Sequence, residues 1–400
     1  MVLMGADDET ATPKTTSVPF VSIAFALAAA ALLVGVLIAA PQATLLQRWE
    51  HSTADMRTAL FSDRRKDLHP HIAIVTITDA SLPTTPIDRG FLADLVTAVD
   101  RAGAKAIGLD VFFRRPTVEA KDTALKSALA NAKAKVVTAA WDERGMDDPG
   151  QQAYQAGFIA ATGRPAGYLN LRIERDRIVR FLAEPAPGSR YPDSFALLLA
   201  RTMSPAIEQP FGRIAWLQRV DSTNPLAWLV NLDGGSPFVE VTAADLLGPE
   251  GERLGQLLKD KIVLIGVDLK VSSDNHRTPI AAWSGRETPG VAIHAQIVAQ
   301  LIDGRRVVEI GPGIGSTLLL ATLAAIGLAA GWWFRDRKRD FLSWGTAGIV
   351  LVGIDAVLFK SLNFILPFLL CMLAWFGGVT AGQHGGRVID WLSGRQPPKE

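Results

Sequence analysis

Hydrophobic positions along this chain follow two patterns. Near both ends they run unbroken for the length of a bilayer, and between the ends they come in short bursts. Residues 18–40 (VPFVSIAFALAAAALLVGVLIAA) carry no charge, and about 20 apolar residues suffice to cross a membrane as a helix. Three more runs, 311–334, 341–359 and 364–381, lie toward the other end, joined by links of a few residues. The pattern predicts four transmembrane helices, with tails at 1–17 and 382–400 and one large domain at 41–310.

Within that domain the bursts alternate with helical spacing. HIAIVTIT (71–78) is an apolar, β-branched run between Pro70 and Asp79. In 89–103, Phe91, Leu92, Leu95, Val96 and Val99 recur at helical intervals before Gly103. KAIGLDVFF, the helical stretch DTALKSALANAKA and KVVTAA follow, and KDKIVLIGV (259–267) is a later buried strand with a helix after Thr288. Strand–helix alternation at this spacing predicts βαβ units and a parallel sheet. The segment 158–241 reads differently. AGYLNLRI, RIVRFLA, RIAWLQR, AWLVNLD and PFVEV suggest antiparallel strands interrupted by one helix, SFALLLART. The expected fold is an α/β extracytoplasmic domain, a parallel sheet core with an antiparallel insertion, plus four transmembrane helices.

Charge sets the expected orientation. The loop 335–340 holds Arg335, Arg337, Lys338 and Arg339, and short basic loops stay in the cytoplasm. Both termini then fall in the cytoplasm and the large domain outside. Arg305 and Arg306, on the outer flank, run against the rule. The first span has a longer apolar core than a signal peptide and an acidic flank (Asp7, Asp8, Glu9), so it reads as an uncleaved anchor. The one cysteine, Cys371, lies in the last span, so the outer domain must be held by its core. A formal net charge of +1 gives no reason to invoke nucleic acid.

Ligands of parallel sheets bind beyond the carboxyl ends of the strands. Asp79, Asp110, Asp274, His276, Thr278 and His294 map to that end or to its loops. Each also has a structural use: Asp79 suits a turn before Ser81, Asp110 sits in an apolar context that demands a partner, and His294 shares a helix face with Val291, Ile297 and Val298. His294 is therefore expected to pin its helix to the strand-end loops. No G-x-S-x-G elbow, HExxH, paired-cysteine site or Walker loop occurs, and GPGIGS (311–316) opens a span rather than following a sheet strand. No catalytic residue, metal or cofactor is expected.

The ordered local motifs resemble the type-2 CHASE family of extracellular sensory domains. Asp55-Met-Arg57 is similar to its D-x-R element, IAIVTITDASL (72–82) to its first strand, and RAGAKAIGLDVFF (101–113) to its second. Asn170 and DRIVR (176–180) resemble its D-x-x-x-R turn, with Ile178 where glycine is usual. YPDSFALLLA, KDKIVLIGV, Thr278-Pro279 and PGVAIHA complete the series. A tryptophan-rich element is reduced to Pro86 and Arg89, and Arg89 joins the ligand candidates through that resemblance.

The resemblance implies a sensor or regulatory subunit in a bacterial inner membrane, with a periplasmic ligand. Since 19 residues follow Ala381, the expectation is signalling through a separate partner, in a homo-oligomer or a heteromeric membrane complex. Gly327-x-x-x-Gly331 and Gly378-x-x-x-Gly382 offer close helix contacts for it. The alternatives are an assembly subunit that binds protein constitutively and a metal-dependent enzyme built on Asp79, Asp110 and His276. Asp355 is expected to pair or snorkel near Lys360.

Overall fold

The structure, a computed structural model, describes residues 44–81, 87–142, 144–208, 225–270, 274–281, 286–310, 313–334 and 340–392, with Ala28 and Gly35. The expected first span, the basic loop 335–339 and the expected strand RIAWLQR thus lie outside the described residues, those two positions apart.

Six strands form one parallel sheet: β1 (Ile72–Thr78), β2 (Ala106–Leu109), β3 (Lys135–Ala140), β4 (Ala166–Tyr168), β5 (Val239–Thr242) and β6 (Ile262–Asp268). Their spatial order is β4-β3-β2-β6-β1-β5. Every pairing is parallel, with Ile265 of β6 opposite Val75 of β1 and Leu109 of β2.

Helices cover both faces, which is why the strands read as continuous apolar runs. Alternate residues serve alternate faces. Ile72, Ile74, Ala106, Val137, Ile262 and Leu264 meet α5 (Phe195–Arg201) and α6 (Gly290–Ile302) on one side. Ala73, Val75, Ile107, Val136, Val263 and Ile265 meet α2 (Arg89–Arg101), α3 (Glu119–Asn131) and Phe158 of α4 (Pro149–Thr162) on the other. Each such large side chain, fully buried, contributes about 1.5–3 kcal/mol.

The caps are local sequence chemistry. The Asp88 carboxylate accepts from Gly90 N and Phe91 N at the start of α2, and Ser194 Oγ accepts from Leu197 N at the start of α5. Asp148 caps α4, Pro149 opens it, and Gly163 closes it at φ 64°. Helix α4 is missing from the sequence expectation because half of its buried face is polar, Gln155 and Thr162 alongside Phe158 and Ile159.

The expected antiparallel insertion needs correction. AGY and VEVT are parallel edge strands of the main sheet, β4 and β5. Leu229–Asn231 pairs in parallel with Asp63–Arg65. Among the described residues of that region, the antiparallel ladder is the hairpin of Arg172–Ile173 with Val179–Phe181. Short β-branched runs bounded by turns carry no information about strand direction.

The chain divides into two compact units, one drawn from residues 1–47, 314–351 and 369–400 and the other from 48–313 and 352–368. The second contains the sheet, the long helix α1 (Thr44–Phe61) from Arg48 onward, and the C-terminal part of α8 (Asp340–Leu362). The first contains α7 (Ile314–Phe334) and nearly all of α9 (Phe368–Leu392). Their shared core is Leu320, Ala324, Cys371 and Ala374. Side chains at Gly327 and Gly331 would collide with the backbone of Trp375 and Val379, and at Gly378 and Gly382 with Ala324 and Leu328. The two G-x-x-x-G stretches therefore pack against each other within the chain.

Among the described residues one helix, Ile314–Trp333, is long and apolar enough to cross a membrane. The runs expected at 341–359 and 364–381 are helical over 340–362 and 368–392 instead. Phe364–Ile365 forms a short parallel strand with Val308–Glu309.

Candidate ligand-binding crevice

The chain leaves β1 for α2 on one face and leaves the neighbouring strand β6 for α6 on the other. Adjacent strands whose helices part in this way open a crevice at their carboxyl ends. A cavity of about 720 Å³ lies there, lined by Thr78, Asp79, Asp268, Lys270, Asn275, Arg286 and Glu287 among others. The Asp79 carboxylate accepts from Lys270 N (3.1 Å), tying the loop after β1 to the loop after β6. Asp79 and Asp268 are exposed, so charges of both signs face the opening.

Beside it lies a buried polar cluster. Asp110, at the end of β2, is 6% exposed and its Oδ2 has no hydrogen-bond partner among the described residues. Burial, and then the charge of Asp274, push its carboxyl well above the usual range. Asp274 begins a small antiparallel hairpin, Asn275–His276 with Thr288–Pro289. Its carbonyl accepts from Gly290 N (2.9 Å), and a side chain at Gly290 would press into its carboxyl group. His276 Nε2 stands 3.4 Å from Asp274 Oδ1, a long contact.

His294, on α6, is 4% exposed and meets Phe195 edge-on at 5.8 Å. Burial lowers its pKa to about 4, so the ring is neutral near pH 7, and it is hydrogen-bonded to the Leu169 backbone. It thus joins α6 to α5 and to the segment after β4.

Two of the expected ligand residues sit elsewhere. Thr278 is fully buried, its hydroxyl 3.2 Å from that of Thr288 inside the hairpin. Arg89, at the start of α2, donates to Tyr154 Oη (2.7 Å) and Arg115 O (2.6 Å) and pairs with Asp122 (2.6 Å). Its guanidinium also lies over Phe113 and Phe158. Those groups hold α2 to α3 and α4. Sequence reasoning missed Lys270, just beyond β6, and Arg286 and Glu287, just before Thr288–Pro289 of the hairpin, which belong to no motif. Among the described residues no group of three or more His, Cys, Asp or Glu side chains is placed to share a metal ion.

The hairpin beside the crevice also reaches toward α1. Val179 N donates to Arg277 O (2.9 Å), so the chain after His276 is bonded to the strand that carries Arg180. Arg180 Nε and Nη2 each donate to the Asp55 carboxylate (2.7 Å), and Nη1 and Nη2 donate to Asp176 (2.9 and 2.6 Å). Burial opposes ionisation of Asp176, but the Arg180 bonds prevail and hold its carboxyl below the usual range. Two residues on from Asp55, Arg57 pairs with Asp355 of α8. The D-x-R and D-x-x-x-R elements of the sequence are thus partners in one buried ladder.

The chain thus contains an α/β domain, a doubly covered parallel sheet with a charged crevice at its switch point. The sequence profile of the CHASE2 domain matches residues 27–329, and the chain belongs to that family of extracellular sensory domains. No curated protein and no solved structure gives a significant match to the chain.

Proposed function

We propose that this protein is a multi-pass membrane sensor or regulatory subunit of a bacterial inner membrane. Its CHASE2 domain stands in the periplasm, both termini lie in the cytoplasm, and four spans connect them. A polar, charged small molecule or envelope component binds the crevice between the ends of β1 and β6. Binding shifts the ladder of Asn275–His276 with Thr288–Pro289, and the Arg277–Arg180–Asp55 connection carries that shift to α1 and the spans, which act on a partner protein.

The observation that carries this reading is the continuity from crevice to α1. Asn275 lines the cavity, and two residues on Arg277 is bonded to the strand whose Arg180 grips Asp55. A ligand that contacts the hairpin differently in two states would bias α1, which is what coupling requires.

The test is thermal unfolding of the full chain in detergent against metals, nucleotides, sugars and amino acids. A ligand at 100 times its Kd should stabilise by about 2.7 kcal/mol. The same ligand should lose its effect in Asp79→Asn and Asp268→Asn, whose side chains are exposed and not needed for the core. A flat response from well-folded protein would sink the sensor reading in favour of constitutive protein binding.

A further inference from the structure

Arg305 and Arg306 stand on the side of the membrane where the charge rule disfavours them, and the structure supplies a use for the first. The Arg305 side chain is 12% exposed. Its Nε donates to Asp303 (3.1 Å) and its Nη1 to Ala227 O (2.5 Å). Its Nη2 is buried without a hydrogen-bond partner among the described residues. A charged donor left unsatisfied calls for an acceptor, and an anionic one gives the strongest bond.

Arg305 lines a cavity of about 120 Å³, together with Ser62, Trp228, Phe359, Lys360 and Asn363. Lys360, in the last turn of α8, is exposed and has no carboxylate partner among the described residues. Asp63 also lines the cavity, and Asp303 is shared among Arg65, His69 and Arg305. Arg64 and Arg306, next in sequence to the lining residues Asp63 and Arg305, are exposed. The walls combine charged groups with the faces of Trp228 and Phe359. The cavity gathers the residues just before α7 and the turn between α8 and α9, which the four-span reading puts at the outer bilayer surface. Basic pockets at that level suit lipid head groups.

We propose that this cavity binds a phosphate group, held between Arg305 and Lys360 and supplied by the head group of an anionic phospholipid. Inorganic phosphate offers the same chemistry, and only the choice of source rests on the four-span reading. The bound phosphate gives the outer basic flank a function.

The full chain is purified in detergent and examined by native mass spectrometry with phosphatidylglycerol or phosphatidylcholine, and by thermal unfolding with inorganic phosphate. Phosphatidylglycerol should be retained over phosphatidylcholine, and Lys360→Gln and Arg305→Lys should each weaken its binding about tenfold. Lys360→Gln alters an exposed side chain and leaves the fold in place. Arg305→Lys keeps a charge but loses the fork. Stabilisation by inorganic phosphate that both substitutions abolish, with equal retention of the two lipids, would support the phosphate site and assign it to the free ion. Equal phosphatidylglycerol binding by wild type and both variants, with no response to phosphate, would overturn the proposal. Micelles have no sidedness, so labelling of Lys360→Cys by an impermeant reagent in whole cells reads the topology separately.

Discussion

Arg57 and Asp355 are 298 residues apart in the chain, and Arg57 Nε lies 2.7 Å from Asp355 Oδ2. Their side chains are 3% and 11% exposed. The pair joins α1 to α8.

Arg57→Ala strands a buried carboxylate and should destabilise the full chain by about 3–5 kcal/mol. Arg57 Nη1 and Asp355 Oδ1 already find no partner among the described residues, so the pair is incompletely satisfied. The double change Arg57→Met with Asp355→Leu should therefore recover most of the loss. Denaturant unfolding of wild type, each single variant and the double variant measures the coupling. Additive losses would show that the two side chains do not stabilise each other.

Stability should fall in acid partly through His294. Its pKa is about 4 in the folded protein against 6.5 for a free histidine. The unfolded chain therefore binds the extra proton, and stability present above pH 6.5 is lost as pH drops toward 4. The gap corresponds to about 3 kcal/mol at 1.36 kcal/mol per pH unit. Asp110 works in the opposite sense, since its raised carboxyl loses stability as pH rises. Melting of wild type and His294→Asn in parallel from pH 7.5 to 4 isolates the histidine. Wild type should lose ground steadily, and a constant difference would refute the assignment.

Gly331→Leu should destabilise the α7–α9 pair by about 1–3 kcal/mol or more, because α9 leaves no room beside Val379. The loss belongs to the single chain, so light scattering should report an unchanged oligomeric state. Dissociation of an oligomer without loss of stability would mean the glycines serve a second copy instead.

Some of this was legible in the sequence. The central strands announced themselves through runs such as IAIVTIT and IVLIGV, which only a doubly covered sheet can bury. His294 lay among apolar neighbours at helical spacing, and its structural placement followed. Strand direction was not legible: Ala166–Tyr168 and Val239–Thr242 are too short to specify a partner, and tertiary packing put them at the two sheet edges. Arg89 joined the ligand candidates through the family resemblance, and nothing local revealed Asp122 and Tyr154 converging on it. Asp55 and Arg180, 125 residues apart, were visible as two motifs but not as one ion pair.

The order of strands also governs when the domain can fold. β6 lies between β1 and β2 but is the last of the six to be synthesised. Until Ile262–Asp268 arrives, Ile72–Thr78 and Ala106–Leu109 each have an open edge facing the vacant central position. Both strands stay unpaired on that side while residues 110–261 are made. Non-local parallel pairing is slow, and open apolar edges invite association with other chains. Assembly of the sheet therefore waits for nearly the whole domain to be synthesised, and a chain stalled before residue 262 would present two aggregation-prone strands to its surroundings.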